Sequence, residues 1–394
     1  MPTTEPPARP AFWRCSRCKT PNPWAVYITA CIGCGAARPA IAPESRAEPG
    51  PVGPVDGRRA PAPRLLATAV AYGLVLIAVT LLARVVGDGW WPGLAILLSP
   101  RWIFLAPILP LAAWAWRSRR RVIGVVIAFE ALFILGPLMG FSVPFGRLGP
   151  DAAGPRLRIM TFNRGGGRID AEGFGRYLDR HKIDVVCFQE FHGDPALDAA
   201  LAGRGWSTNG ARSIASRHPI VRDFPRSPEH NLDEFRYNAT LYRARIKGPE
   251  GRELVVGSIH MPTLRPGFLG ILRGKVRVLV ALLDWWNEEL GRMLDLLNES
   301  GGGPTLIGGD FNNVAEASAL VALREQGAYQ SAFEQAGLGW GYTRPAALPW
   351  VRIDHILASP EWAVTACWVG PAFGSDHRSL VAEVALRPAD PARP

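Results

Sequence analysis

The sequence predicts an α/β domain over residues 151–394, built on a sandwiched sheet and preceded by a membrane region and a small cysteine module. Three observations predict it. From residue 156 onward, short β-type apolar runs alternate with helical stretches and end in polar motifs. Before that lie three long apolar stretches, and before those, four cysteines in two Cys-x-x-Cys steps. Charge divides the chain at the same place. Residues 1–150 hold 16 Lys and Arg against 6 Asp and Glu, and residues 151–394 hold 28 of each, so the whole net +10 is N-terminal. A basic chain usually suggests nucleic acid; here the α/β half is neutral and gives that inference no support.

Cys15, Cys18, Cys31 and Cys34 follow the spacing C-x2-C-x12-C-x2-C within residues 10–39. Four thiolates on two tight knuckles make a closed tetrahedral Zn2+ site, which stabilises a chain too small for a core of its own. A redox or disulfide pair is the weaker alternative, because neither step is followed by a strand–helix pattern. Residues 40–64, rich in Pro, Ala, Gly and Arg, read as a flexible linker.

The membrane region is expected over residues 65–146, with spans at about 65–86, 96–116 and 122–141. A span needs about 20 apolar residues. The first and third stretches qualify, with one charge each (Arg84 and Glu130), and the second does so with help from Arg101 snorkelling. A soluble helical core is the alternative, and the near absence of amphipathic pattern argues against it. Arg58, Arg59 and Arg64 precede the first span, and Arg117, Arg119, Arg120 and Arg121 separate the second from the third. Both clusters belong on the cytoplasmic side. Three crossings then leave the cysteine module in the cytoplasm and the α/β half outside; two would return it to the cytoplasm.

In the α/β half, strands are expected at residues 156–162, 184–189, 214–220, 238–246, 252–260, 305–308, 351–357, 364–369 and 379–386. Helices are expected at 171–182 and 275–298, the second with Val278, Leu282, Leu283, Trp286 and Leu290 along one side. Polar motifs close several strands: Thr161-Phe162-Asn163, Gln189-Glu190, His260-Met261-Pro262, Gly309-Asp310-Phe311-Asn312, Asp354-His355 and Ser375-Asp376-His377. They offer carboxylates for a hard cation, imidazoles for proton transfer and side-chain amides to orient a phosphate. That inventory suits metal-assisted attack of water on a phosphate ester. Any one motif alone reads better as a solvated loop. His355 alternates with Asp354 and reads as structural. Glu234 is a candidate support for His260 on its position alone.

The ordered set resembles the endonuclease/exonuclease/phosphatase superfamily, the DNase I-like fold, over residues 156–387, with Gly-Asp-Phe-Asn and Ser-Asp-His its most specific parts. The resemblance implies a four-layer α/β sandwich over residues 151–389. It implies Glu190 as principal ligand of Mg2+ or Mn2+, Asn163 beside it on the metal or the phosphate, and Asp376 completing the metal side. Asp310 would orient and deprotonate the water, and Asn312 would hydrogen-bond the phosphoryl oxygen. His377, with Asp354 fixing its tautomer, would stabilise the phosphate or protonate the leaving oxygen, and His260 would act from the opposite edge. Trp13, Asn22 and Arg38-Pro39 around the cysteines resemble the Ran-binding-protein class of zinc finger, with two extra residues between Asn22 and Cys31. That class implies single-stranded RNA or a protein as partner.

The expected function is therefore a membrane-anchored, divalent-metal-dependent phosphoesterase. A nuclease-type phosphodiesterase stands first, and a phospholipid or inositol-phosphate headgroup esterase is the alternative. A non-catalytic adaptor working through the zinc finger is the reading from another class. The segment after His260 mixes Leu264, Phe268, Leu269, Ile271 and Leu272 with Arg265 and Arg273. It reads equally as a loop dipping into a bilayer surface and as packing beneath the long helix.

Overall fold

The computed structural model describes residues 12–14, 17–19, 21–23, 30, 34–37, 62–119, 121–144, 154–228 and 239–388. The chain forms two compact units, residues 1–60 and 61–394. In the first, β1 (Phe12–Arg14) pairs antiparallel with β2 (Pro21–Pro23), and Ala30 bridges Ala37. Each pairing encloses one Cys-x-x-Cys step. Cys18 and Cys34 are exposed; Cys15, Cys31, Arg38 and Pro39 lie outside the described residues, as does the linker through residue 61.

The second unit opens with α1 (Ala62–Leu81), so the last three residues assigned to the linker are already helical. The helix continues through a π turn and a 3-10 turn, giving an apolar rod of 26 residues, Arg64–Gly89, with mean hydropathy 2.4. α4 (Arg121–Phe133) likewise runs on to Leu138, 18 residues with mean hydropathy 2.0. These two helices are long and apolar enough to cross a membrane. The expected middle span differs. It is split into α2 (Trp91–Leu98) and a stretch Arg101–Arg117 that ends in α3 (Ile108–Arg117), bent by 85°. Pro100 has no N–H to continue a helix and disfavours a helical Ser99, so the break falls there. The rods of α1 and α4 run parallel: Glu130 lies against Gly73, and Arg84 Nη2 donates to the Pro137 carbonyl at 2.7 Å.

Two six-stranded sheets follow. The first has the order β13 (Trp362–Val369), β14 (Leu380–Leu386), β3 (Arg156–Asn163), β4 (Val185–Gln189), β6 (Ile214–Ser216), β5 (Ser207–Thr208). The second has the order β11 (Gln330–Ser331), β12 (Asp354–Ala358), β10 (Thr305–Asp310), β9 (Glu253–His260), β8 (Thr240–Lys247), β7 (Ile220–Asp223). Their facing sides share one core, in which Leu157, Val185 and Cys187 meet Ala244, Val256 and Leu306. The outer face of the first sheet is covered by α5 (Ala171–Arg180) and α6 (Pro195–Ala202) through Phe174, Leu178 and Leu197. The outer face of the second is covered by α7 (Arg265–Ile271), α8 (Val276–Asn298) and α9 (Ser318–Glu325) through Leu282, Trp286 and Leu320. Four layers result, as expected.

One expected strand, residues 214–220, is two. β6 pairs with β4 in the first sheet and β7 with β8 in the second, and Arg217, His218 and Pro219 carry the chain between the sheets. The strand expected at 351–357 starts only at Asp354; Val351 bridges Arg344 instead.

The helices at the start of this unit are built into its α/β part. Leu94 of α2 enters the core under α8. Asp88 accepts from the backbone N–H of Ser318 at 3.0 Å, at the start of α9. Arg101 pairs with Glu316 at 3.1 Å, the Trp340 indole donates to the Leu135 carbonyl at 2.8 Å, and Ser142 and Gly339 exchange backbone hydrogen bonds.

Candidate active site

Strand register assembles the site. β9 and β10 are parallel and set His260 beside Asp310; β12 is antiparallel to β10 and sets Asp354 on its other side. On the facing sheet, β3 and β4 are parallel and set Asn163 beside Gln189. Side chains alternate along a strand. Gly308 packs against Thr161 and Cys187 of the facing sheet, where an added Cβ would come within 3.0 Å. Asp310, two residues on, points the same way and accepts from Asn163 Nδ2 at 2.9 Å. The same Nδ2 reaches Glu190 Oε1 at 3.0 Å.

Asp354, His377 and Asp310 form a buried line. His377 Nδ1 lies 2.9 Å from Asp354 Oδ2, and its Nε2 lies 3.7 Å from Asp310 Oδ2. Burial works against the imidazolium, but the Asp354 and Asp310 carboxylates outweigh it and raise the His377 pKa to about 9. Burial and the neighbouring Asp354 carboxylate lift Asp310 above the usual carboxylate range, against the pull of both imidazoles. At neutral pH the arrangement therefore favours a protonated His377 between carboxylates.

His260, half-buried, faces the line from the other edge. Its Nε2 lies 3.6 Å from Glu190 Oε1 and 3.9 Å from Asp310 Oδ2. Glu190 is exposed at the mouth, at φ 54°, a left-handed conformation that swings its carboxylate off the end of β4. Asn312 also has a positive φ, 50°; its backbone N–H donates to Asp310 Oδ1 at 2.8 Å and its amide to the Met261 carbonyl at 2.8 Å.

Donor atoms of Glu190, His260 and Asp310 lie within 4.8 Å of one another, as do those of Asp310, Asp354 and His377. The first group fits a hard dication. It supplies an exposed carboxylate, Glu190, beside a buried one, Asp310, and oxygen donors of that kind suit a hard cation.

Two expected residues are placed differently. Asp376 is exposed and pairs with Arg344 at 2.8 Å, and it belongs to neither group. Asn163 turns its Nδ2 to both the Glu190 and Asp310 carboxylates, while its Oδ1 accepts from the Gly165 N–H at 2.9 Å. Glu234 lies outside the described residues. His355 behaves as expected: buried on the far side, it meets the Asn313 carbonyl at 2.9 Å, and burial lowers its pKa to about 3.

Sequence reasoning missed the supporting hydroxyls. Ser258 accepts from Gln189 Nε2 at 3.1 Å, and Ser375 donates to the Asn163 carbonyl at 2.7 Å and accepts from the His377 N–H at 3.0 Å. The one available signal was their spacing, each two residues before a reactive histidine.

Fold and site together define a class: a two-sheet α/β protein whose reactive carboxylates and imidazoles share one rim. A family model described as the Endonuclease/Exonuclease/phosphatase family matches residues 160–377, and the chain belongs to that family. Its members are phosphoesterase hydrolases, typically dependent on a divalent metal. Similar solved structures include a family protein from Bacteroides thetaiotaomicron, 16% identical, covering 60% of this chain and 100% of that one with a TM-score of 0.45. A second, from Beutenbergia cavernae DSM 12333, is 20% identical and covers 60% and 73%, TM-score 0.45. The human Nocturnin catalytic domain is 16% identical and covers 61% and 99%, TM-score 0.43. No curated protein matches the chain.

Proposed function

We propose that the protein is a membrane-anchored phosphodiesterase that uses Mg2+ or Mn2+ to attack phosphate esters with water. The observation that carries this is the buried Asp354–His377–Asp310 line abutting the open Glu190–His260 side. Glu190, with Asp310 beside it, would hold the cation, which would neutralise phosphoryl oxygens and lower the pKa of water. Asp310 takes the proton of the attacking water. Asn312 and His260 face the phosphoryl oxygens, and His377, oriented by Asp354, gives its proton to the leaving oxygen. Asn163 holds the two carboxylates in place. Asp376, held by Arg344, adds negative charge at the rim and is not part of the donor set.

The α/β domain lies on the side of the membrane opposite the N-termini of α1 and α4. Their parallel course supports this, because two parallel crossings require the bent α2–α3 segment to return the chain between them. Arg64 and Arg121, at the two starts, then share the positive side, which puts residues 1–60 in the cytoplasm. There the four cysteines hold Zn2+, and the module binds RNA or a protein.

The test is hydrolysis of bis(p-nitrophenyl) phosphate by the full chain in detergent, with Mg2+, with Mn2+ and with EDTA. Turnover that needs metal and is lost in Asp310→Asn and His377→Gln is expected. Metal-independent turnover, or none from a folded, metal-binding protein, would overturn the proposal.

A further inference from the structure

The strand that delivers His260 leads directly into α7, and the neighbouring chain has an unusual composition. From Leu254 to Leu283 there is no acidic residue, while Arg265, Arg273, Lys275 and Arg277 all fall within the 13 residues 265–277. All four are exposed, and so are apolar neighbours: Leu272 is 83% exposed, Leu269 44% and Val280 48%. Only the opposite side of this segment packs inward. Leu264 and Leu279 are buried in the core under α8, and Gly267 and Gly270 press directly on Leu279 and Val278. The alternative that these apolar residues simply pack beneath the long helix therefore holds for half of them and fails for Leu269 and Leu272.

Position decides what the exposed half meets. The start of α8 and the end of the first rod line one groove of about 410 Å³, with Val276 and Val280 on one wall and Gly89, Trp90 and Trp91 on the other. Trp90, 54% exposed, sits where the apolar rod Arg64–Gly89 ends. A tryptophan at the end of a membrane-length helix marks the headgroup level. The cationic, leucine-bearing turn is thus held at that level by the fold itself.

We infer that residues 264–280 dock on the surface of an anionic bilayer, and that the adjoining site hydrolyses phosphate esters presented at that surface. The inference rests on the phosphodiesterase reading and names its substrate class, lipid headgroup phosphodiesters. Leu269 and Leu272 enter the headgroup–acyl boundary, and the four cations meet anionic headgroups. Water adds to phosphorus, the P–O bond to one alcohol breaks, and that alcohol leaves with the transferred proton while the phosphate stays on the other. This position favours a headgroup over duplex nucleic acid, because basic residues facing a bilayer are not free to track a phosphate backbone.

The experiment uses the full chain in nanodiscs of phosphatidylcholine alone and of an equimolar mixture with phosphatidylglycerol. Amide exchange over residues 264–280 is expected to slow on anionic discs by at least about tenfold, since each of the four basic residues near such a surface can strengthen docking roughly fivefold. Arg273→Gln/Lys275→Gln/Arg277→Gln and Leu269→Gln/Leu272→Gln should each abolish that protection. Both should also cut headgroup release, followed by phosphorus NMR on discs holding phosphatidylglycerol, phosphatidylinositol and sphingomyelin, while soluble bis(p-nitrophenyl) phosphate is still cleaved at the wild-type rate. Cleavage of the soluble ester with no protection, or with no headgroup released, would overturn this inference and leave the phosphodiesterase reading standing. Protection by single-stranded RNA in place of anionic discs would assign the surface to nucleic acid. Loss of soluble-ester cleavage by the wild type would instead strike the reading beneath it.

Discussion

At the scale of single residues, the site depends on second partners as much as on reactive groups. In the proposed reaction His377 serves as an acid only while Asp354 holds its Nδ1 at 2.9 Å and leaves Nε2 facing Asp310. Asp354→Asn keeps the shape but can hold the wrong tautomer and removes a charge that raises the His377 pKa. Turnover of a soluble diester should fall by roughly 10²–10⁴-fold with little change in KM. A raised KM with kcat unchanged would instead show that Asp354 acts on binding. Residue by residue, the clustering of Glu190, His260, Asp310, Asp354 and His377 was legible because each lies at or beside a strand end in a fixed order. The contacts of Asn163 and Asp376 were not legible, because sequence order gives a residue's place on a rim and not the direction of its side chain. The Arg344–Asp376 pair had no sequence signal at all, since 32 residues separate its members.

Among the elements, those with a clear apolar period were legible. β3, β4, β9, β10, β14 and α8 fall within a few residues of expectation. What failed was punctuation. The single strand expected at 214–220 runs through Pro219, yet Arg217, His218 and Pro219 pass the chain between sheets, a long-range choice that local pattern does not encode. α7 was not among the expected helices; its Gly267 and Gly270 lie where α8 comes too close for a Cβ. The junction between helices and sheets was invisible for the same reason. Glu316 holds that junction, since despite burial, which opposes ionisation, Arg101, Arg84 and Arg352 lower its pKa to about 2. A folded pKa below the ordinary 4.5 means stability is fully present above pH 4.5 and is lost as pH falls toward 2. The melting midpoint of the full chain should drop through that window. Glu316→Gln should melt lower at neutral pH and lose less on acidification; an unchanged acid slope would remove Glu316 from the account.

For the whole molecule, the helices of residues 62–144 are packed into the fold of the α/β part. Leu94 fills space under α8, and Ser142 extends a backbone pairing to Gly339. Removing residues 1–150 strips the cover from Leu283 and Leu320 and leaves Glu316 without Arg101 and Arg84. Burying a leucine is worth about 1.5–3 kcal/mol, and the truncated domain should melt well below the full chain or precipitate. Differential scanning fluorimetry of the two proteins checks this, and equal midpoints would show that the halves fold independently.

His260, Asp310 and Asp354 stand on one rung across three adjacent strands. A slip of one residue in any of the three turns its reactive group to the opposite face of the sheet, so mispairing silences the protein before it unfolds it. Turnover thus acts as a proofreader of strand alignment. An insertion in β9, β10 or β12 should yield a folded but inert protein, whereas one in the peripheral β5 or β7 leaves the rung untouched.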